Sequence, residues 1–125
     1  MSNFIFTKEQ LEWIEALESG EYKQCRRKLY DPKTKGFCCL GVACVINGVP
    51  ITSRYYQRNG GANSLLSTAK TEAVMRKLHL RTSLGRAITD GSTLSALNDR
   101  GESFEFIAEV LRKIPEQYFS QGAES

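Results

Sequence analysis

The ten residues from Phe37 to Ile46 constrain this chain more than any others. They read Phe-Cys-Cys-Leu-Gly-Val-Ala-Cys-Val-Ile, with no charged side chain. On a 3.6-residue wheel, Phe37, Leu40, Gly41 and Cys44 share one face. Cys38, Val42 and Val45 share a second, and Cys39, Ala43 and Ile46 a third. A helix that is apolar all round has no side to show to water and must be wrapped by the rest of the chain. Gly41 and Ala43 would let those neighbours approach closely. Val45, Ile46 and Val49 are β-prone, so a buried strand is the alternative. The run is about half the ~20 residues a membrane span needs. It is therefore expected at the centre of a folded domain, ended by Asn47-Gly48.

The flanking sequence supplies the wrapping. Leu11, Ile14 and Leu17 recur at helical spacing, and Glu9, Glu12 and Glu15 face outward, which predicts a helix from Lys8 to Ser19. Thr7 and Gln10 form a capping box at its start, and Gly20 fits the left-handed stop. Trp13 lies beside the stripe and should finish the core. Residues Glu21 to Tyr30 read as extended, and Asp31-Pro32-Lys33-Thr34-Lys35-Gly36 is turn chemistry. Val49 to Tyr56 also looks extended, followed by a loop at Asn59-Gly60-Gly61. A second amphipathic helix is expected over Thr68 to Leu78, with Ala69, Ala73, Val74 and Leu78 inward. A short extended piece fits Arg86 to Ile88. Thr93 to Asn98 is a short helix, broken at Asn98-Asp99-Arg100-Gly101. Ser103 caps a last helix, Phe104 to Ile114, which Pro115 ends.

The fold class expected is α+β: one small domain over residues 1–120, about four helices around a small antiparallel sheet, with Phe37–Ile46 buried at the centre. The core should contain Leu11, Ile14, Leu17, Phe37, Leu40, Val42, Val74, Leu78, Leu94, Leu97, Phe104, Ile107 and Leu111. Residues 121–125 should be a frayed tail. A chain of 125 residues can bury such a core without metal or disulfide staples. Hydrophobic content of 41% against 25% charged argues against disorder. The N-terminus lacks the basic and apolar regions of a signal peptide, so a cytoplasmic setting with reduced Cys25, Cys38, Cys39 and Cys44 is expected.

Net charge is only +3, but it is unevenly spread: residues 1–21 carry −4, residues 22–60 +7, residues 61–100 +3 and residues 101–125 −3. A basic middle between acidic ends favours a phosphate-bearing ligand over a long duplex, because no basic stripe runs the length of the chain.

Catalytic motifs are missing from the pattern. The cysteine spacing is C-C-x4-C, which puts Cys39 and Cys44 about 140° apart on a helix, unlike a paired zinc knuckle. The single histidine, His79, could serve a nucleophilic cysteine, but thiols in the most apolar segment are poor nucleophiles. No P-loop, dinucleotide fingerprint or nucleophile elbow is present. No enzyme, metal or cofactor is expected on these grounds. A binding constellation remains. Ser19, Tyr22, Lys23, Gln24 and Arg26 follow the first helix, Arg54, Tyr55 and Tyr56 form a second polar-aromatic cluster, and Asn98 and Asp99 sit at the later break. Aromatic faces stack bases, amides and carboxylates read base edges, and Arg or Lys holds phosphates. Loop polarity and turn-capping account for each of these residues taken singly.

Three stretches carry a resemblance: Trp13-Ile14-Glu15-Ala16-Leu17-Glu18-Ser19-Gly20-Glu21-Tyr22-Lys23-Gln24; Gly36-Phe37-Cys38-Cys39-Leu40-Gly41-Val42-Ala43-Cys44; and Thr93-Leu94-Ser95-Ala96-Leu97-Asn98-Asp99 with Phe104 and Ile107-Ala108. Together these resemble a widespread set of short proteins of tailed phages and prophages, over roughly residues 10 to 110. The chain departs from the usual pattern at Ala43 and Val45, where Leu and Asp are common, and the region from Val49 to Leu66 is too variable to carry anything over. The resemblance implies a phage accessory protein acting in the cytoplasm of an infected host. It suggests kinship with phage sponge proteins, which sequester the nucleotide second messengers of bacterial immune systems such as CBASS and Thoeris. On that expectation the partner is an anionic nucleotide, a cyclic oligonucleotide or an ADP-ribose type. No long nucleic acid and no membrane are expected. A homo-oligomer fits the resemblance, although no sequence signal specifies one. The alternatives are a protein-binding antagonist of a host enzyme and a small nucleotide hydrolase.

Overall fold

A computed structural model describes residues 4–26, 30–31, 33–49, 69–82, 87 and 93–123. Among them are six helices and one two-stranded sheet: α1 (Lys8–Glu18), β1 (Tyr30–Asp31), β2 (Gly36–Phe37), α2 (Cys39–Ile46), α3 (Ala69–Lys77), α4 (Leu94–Asp99), α5 (Phe104–Lys113) and α6 (Pro115–Tyr118). The class is α+β. β1 and β2 are antiparallel, with Tyr30 opposite Phe37 and Asp31 opposite Gly36.

The apolar run is a helix, and it is buried: Cys39, Leu40, Val42, Ala43 and Cys44 are fully enclosed. α1, α3 and α4 pack around it, and α5 lies along α1. The helical alternative avoids the strand's need for neighbours along both edges, because a helix pairs its backbone within the segment except at its ends. The helix is shorter than expected, however. Phe37 belongs to β2 and Cys38 is extended, serving as N-cap. Phe37 is held out of the helix because its own backbone is already paired. Its N–H donates to the Lys23 carbonyl at 2.7 Å, and its carbonyl accepts from Cys25 N–H at 2.8 Å.

α1 follows the sequence closely. The Thr7 hydroxyl accepts from Gln10 N–H at 3.0 Å, and the Gln10 side chain accepts from Thr7 N–H at 2.9 Å. Gly20 has φ +78°, the left-handed stop. Gln10 does more than cap. It is fully buried, and its amide nitrogen donates to the Leu78 and Gln121 carbonyls, both at 2.9 Å. With Ala123 N–H donating to the Ile5 carbonyl at 2.6 Å, this ties the C-terminal segment across the N-terminus as far as Ala123. The expected fraying therefore does not apply to Gln121–Ala123.

Three further expectations are corrected. Among the described side chains of α3, Val74 and Met75 are buried and Ala73 is exposed, with buried Leu78 just past its end, so the helix is rolled toward Met75; the side chain of Ala69, also expected inward, lies outside the described ones. Leu11 and Phe37 are only half-buried. Pro115 ends α5 and also opens α6, because its fixed φ suits a first helical turn. The other expected core residues are buried, joined by Trp13, Tyr118 and Phe119. Trp13 packs edge-on against Phe119 and donates its indole N–H to the Cys39 carbonyl at 2.9 Å. The extended segments expected after Val49 and around Ala87 lie outside the described residues, apart from half-buried Val49 and buried Ala87 themselves.

Candidate functional site

The candidate site is built on the segment that follows α1. Lys23 to Cys25 pairs with Phe37 in a parallel bridge centred on Gln24, while Tyr30 pairs with Phe37 from the other side. Phe37 is thus paired on both sides, by β1 and by the isolated bridge to Gln24, which together make a short ladder. Cross-strand aromatic neighbours follow from that register. The Tyr22 ring meets Phe37 edge-on at 5.9 Å, and the Tyr30 ring lies tilted against it at 4.9 Å. All three rings are half-buried, so part of the cluster faces solvent.

α4 comes up against this ladder through Asn98. The Gln24 amide nitrogen donates to Asn98 Oδ1 at 2.9 Å and to the Glu102 carbonyl at 2.7 Å. Asn98 Nδ2 donates to the Cys25 carbonyl at 2.7 Å, and Asn98 Oδ1 also accepts the Cys39 N–H at 3.2 Å. Asn98 is fully buried. Gln24 and Asn98 were expected at element ends, orienting a base. Asn98 and Asp99 instead form the last turn of α4, and the break begins at Arg100. Asn98 can remain helical because its side chain finds its partners in the segments packed beside it, leaving the α4 backbone bonds intact.

The same contacts finish the N-terminus of α2. Its first amide, that of Cys39, is taken by Asn98, and the Gly41 N–H donates to Cys38 Sγ at 3.3 Å. A helix N-terminus usually lowers a thiol's pKa. Here burial outweighs it and pushes Cys38 up to about 12. Burial pushes Cys44 to about 12 as well, and Cys39 well above its ordinary value. All four cysteines are free thiols and buried. Among the described residues no group of three or more His, Cys, Asp or Glu side chains could hold a metal ion.

Arg26 is exposed, and its guanidinium lies against Gly101. Gly101 has φ +99°, and a Cβ built on it would lie 2.6 Å from Arg26 Nη2 and 3.2 Å from Cζ. The guanidinium therefore rests on the α4–α5 turn beside Gly101, whose left-handed φ is what calls for glycine there. Lys23 is also exposed and Asp99 half-buried. Ser19 is spent on local structure: its hydroxyl donates to the Ala16 carbonyl at 2.7 Å and accepts from Glu21 N–H at 3.1 Å. Arg54, Tyr55 and Tyr56 lie outside the described residues. The structure thus brings Tyr22, Gln24 and Arg26 together with Asn98 and the Gly101 turn, and leaves Ser19 at the end of α1. Sequence reasoning treated Phe37 as core and Gly101 as a helix breaker only. The aromatic–turn–aromatic spacing of Tyr30 and Phe37 was the available signal for the ring cluster. Among the described residues, two shallow clefts lie elsewhere, of about 230 Å³ beside Arg76 and Arg81 and about 250 Å³ between Val49, Val74 and Lys77.

Residues 7–115 match the model of a domain of unknown function, DUF8296. The chain belongs to the DUF8296 family. The match takes in all of α1 to α5, and with them the ladder, the Asn98 contacts and the Arg26–Gly101 turn. No curated protein and no solved structure matches the chain. Among the described residues of this DUF8296 protein, no helix is long and apolar enough to cross a membrane.

Proposed function

We propose that this DUF8296 protein binds a nucleotide second messenger of bacterial immunity and sequesters it unaltered, acting as a phage-encoded anti-defence protein in the cytoplasm of an infected cell. The observation that supports the reading best is the exposed Arg26 guanidinium, resting against Gly101 on a segment whose Tyr22 packs on the Phe37 cluster. Arg26 and Tyr22, carried on one short segment, supply the guanidinium and the ring surface that phosphate and base require. In this reading Arg26 and Lys23 hold phosphate, and Tyr22 and Tyr30 offer ring surface to a base. Gln24 and Asn98 act as positioning residues, since the amide groups described above are engaged within the chain. Arg54 and Tyr55 remain candidates from the sequence. The buried thiols, with their raised pKa values, fit binding without chemistry better than they fit a cysteine nucleophile.

Calorimetric titration with a panel of cyclic di- and trinucleotides and ADP-ribose derivatives, followed by chromatography of the released ligand, tests the reading. One ligand bound and recovered intact is the expected result. Recovery of an altered ligand would replace it with a hydrolase. No binding across the panel would leave the protein antagonist as the better account.

A further inference from the structure

α5 carries two apolar faces. Phe104, Ile107, Ala108 and Leu111 point into the core. Phe106, Val110 and Ile114 fall at four-residue spacing along and just past the helix, and so lie one above the other on a second, outer face. Phe106 is 39% and Ile114 45% exposed, and half-buried Val110 joins them. They are two of the three large hydrophobic side chains most exposed among the described residues. Their clustering on a single stripe sets them apart from scattered surface apolar residues.

The charges beside the stripe are ordered along the helix. Glu105 and Glu109 occupy its first part and Arg112 and Lys113 its last turn. Arg112 is held by Glu18 of α1 through two contacts of 2.6 and 2.8 Å, on the side away from the stripe. Lys113 is exposed and reaches Glu109 only at 3.9 Å. Turn a second α5 end for end about a two-fold axis at Val110, and Phe106 of one copy covers Ile114 of the other. Glu109 then faces the partner's Lys113, twice over. The two helix dipoles also oppose each other favourably. A surface that complements itself under a two-fold rotation is what an isologous dimer requires.

We infer that the outer stripe of α5 is the contact surface for a second copy of this chain, packed antiparallel across a two-fold axis. The inference is independent of nucleotide binding. The contact is about 15 Å of single helix against single helix, smaller than stable interfaces of ~1,200 Å² or more. The dimer is accordingly a dissociating one, micromolar or weaker.

Sedimentation of the full chain over a concentration series from about 1 µM to 1 mM tests this, without nucleotide. A monomer–dimer equilibrium is expected. Phe106→Glu and Ile114→Glu should each raise the dissociation constant at least tenfold. Both side chains are exposed, so melting temperatures should hold, and Phe106→Ser serves where the charged variant does not fold. Glu109→Lys should weaken the dimer, and adding Lys113→Glu should restore it. A chain that stays monomeric throughout overturns the inference, as does a dimer indifferent to Phe106, Ile114 and the charge exchange.

Discussion

Asn98 Oδ1 accepts the Cys39 N–H at 3.2 Å, which joins the last turn of α4 to the first turn of α2. The first amides of a helix have no partner within it, and inside a core water cannot supply one. Asn98 fills that place, while its Nδ2 serves the Cys25 carbonyl. One buried side chain therefore joins the central helix, the ladder and α4.

Removing it should be costly. Asn98→Ala would remove the bond that the Cys39 amide makes to Oδ1 and the bond that the Cys25 carbonyl accepts from Nδ2, buried bonds whose loss costs about 1–3 kcal/mol each. We expect a loss of about 3 kcal/mol, or roughly 10 °C in melting temperature for a chain this size. Asn98→Asp should be no better, since it loses the donor and buries a charge. Calorimetric melting of both variants checks this. A variant melting near wild type would show that Asn98 is spare in the fold.

The buried thiols make stability fall at alkaline pH. In the unfolded chain a thiol loses its proton near 9.0, whereas Cys38 and Cys44 hold theirs to about 12 in the fold. Between those values the unfolded state binds fewer protons than the native state, so stability drops as pH rises. Below pH 9 the contribution is complete. Each such thiol adds a slope of about 1.4 kcal/mol per pH unit across the window. Urea unfolding at pH 8, 9, 10 and 11 should show a shallower slope for Cys44→Ala than for wild type. Equal slopes would mean that Cys44 ionises as readily folded as unfolded.

Cys44 also tests the buried centre by a cruder route. It is fully enclosed in α2. Cys44→Asp should cost several kcal/mol by placing an unpaired charge there. Thermal unfolding reads the result directly, and wild-type stability would contradict the burial.

Much of the fold was legible because it is written locally. The capping box at Thr7, the left-handed Gly20 and the cap at Ser103 are decided by residues three or four apart, and each stands where the pattern put it. The all-apolar α2 announced its own burial. What escaped was set by residues far apart in sequence. Phe37 left the helix because its backbone pairs with Lys23 and Cys25. Gln10 read as a cap and proved also to be a buried tie to Leu78 and Gln121. Asn98 read as a turn residue, since Asn usually caps or breaks helices. Its partners Cys25 and Cys39 lie 73 and 59 positions away, and no local rule reaches them. The candidate site shares this division: Tyr22, Gln24 and Arg26 were visible as a polar segment, but the glycine that positions Arg26 was not.

That positioning gives the last prediction. If Arg26 holds a phosphate, its charge matters for binding and its placement on Gly101 matters separately. Arg26→Ala removes a charge-assisted contact of ~1.5–3 kcal/mol and should weaken nucleotide binding roughly tenfold to a hundredfold. Arg26 is exposed, so its loss should change stability by no more than about 0.5 kcal/mol. Arg54→Ala should behave alike if that residue shares the ligand. Gly101→Ala keeps the charge but puts a Cβ 2.6 Å from Arg26 Nη2, in a backbone conformation unfavourable to alanine by roughly 1–2 kcal/mol. It should therefore lower the melting temperature by several degrees and also weaken binding, even at temperatures where it is fully folded. Calorimetric titration of the three variants, beside their melting curves, separates the effects. Wild-type affinity in folded Arg26→Ala and Arg54→Ala would remove both arginines from the site. Full affinity in Gly101→Ala, with Arg26→Ala impaired, would show that the guanidinium reaches its ligand without the turn beneath it.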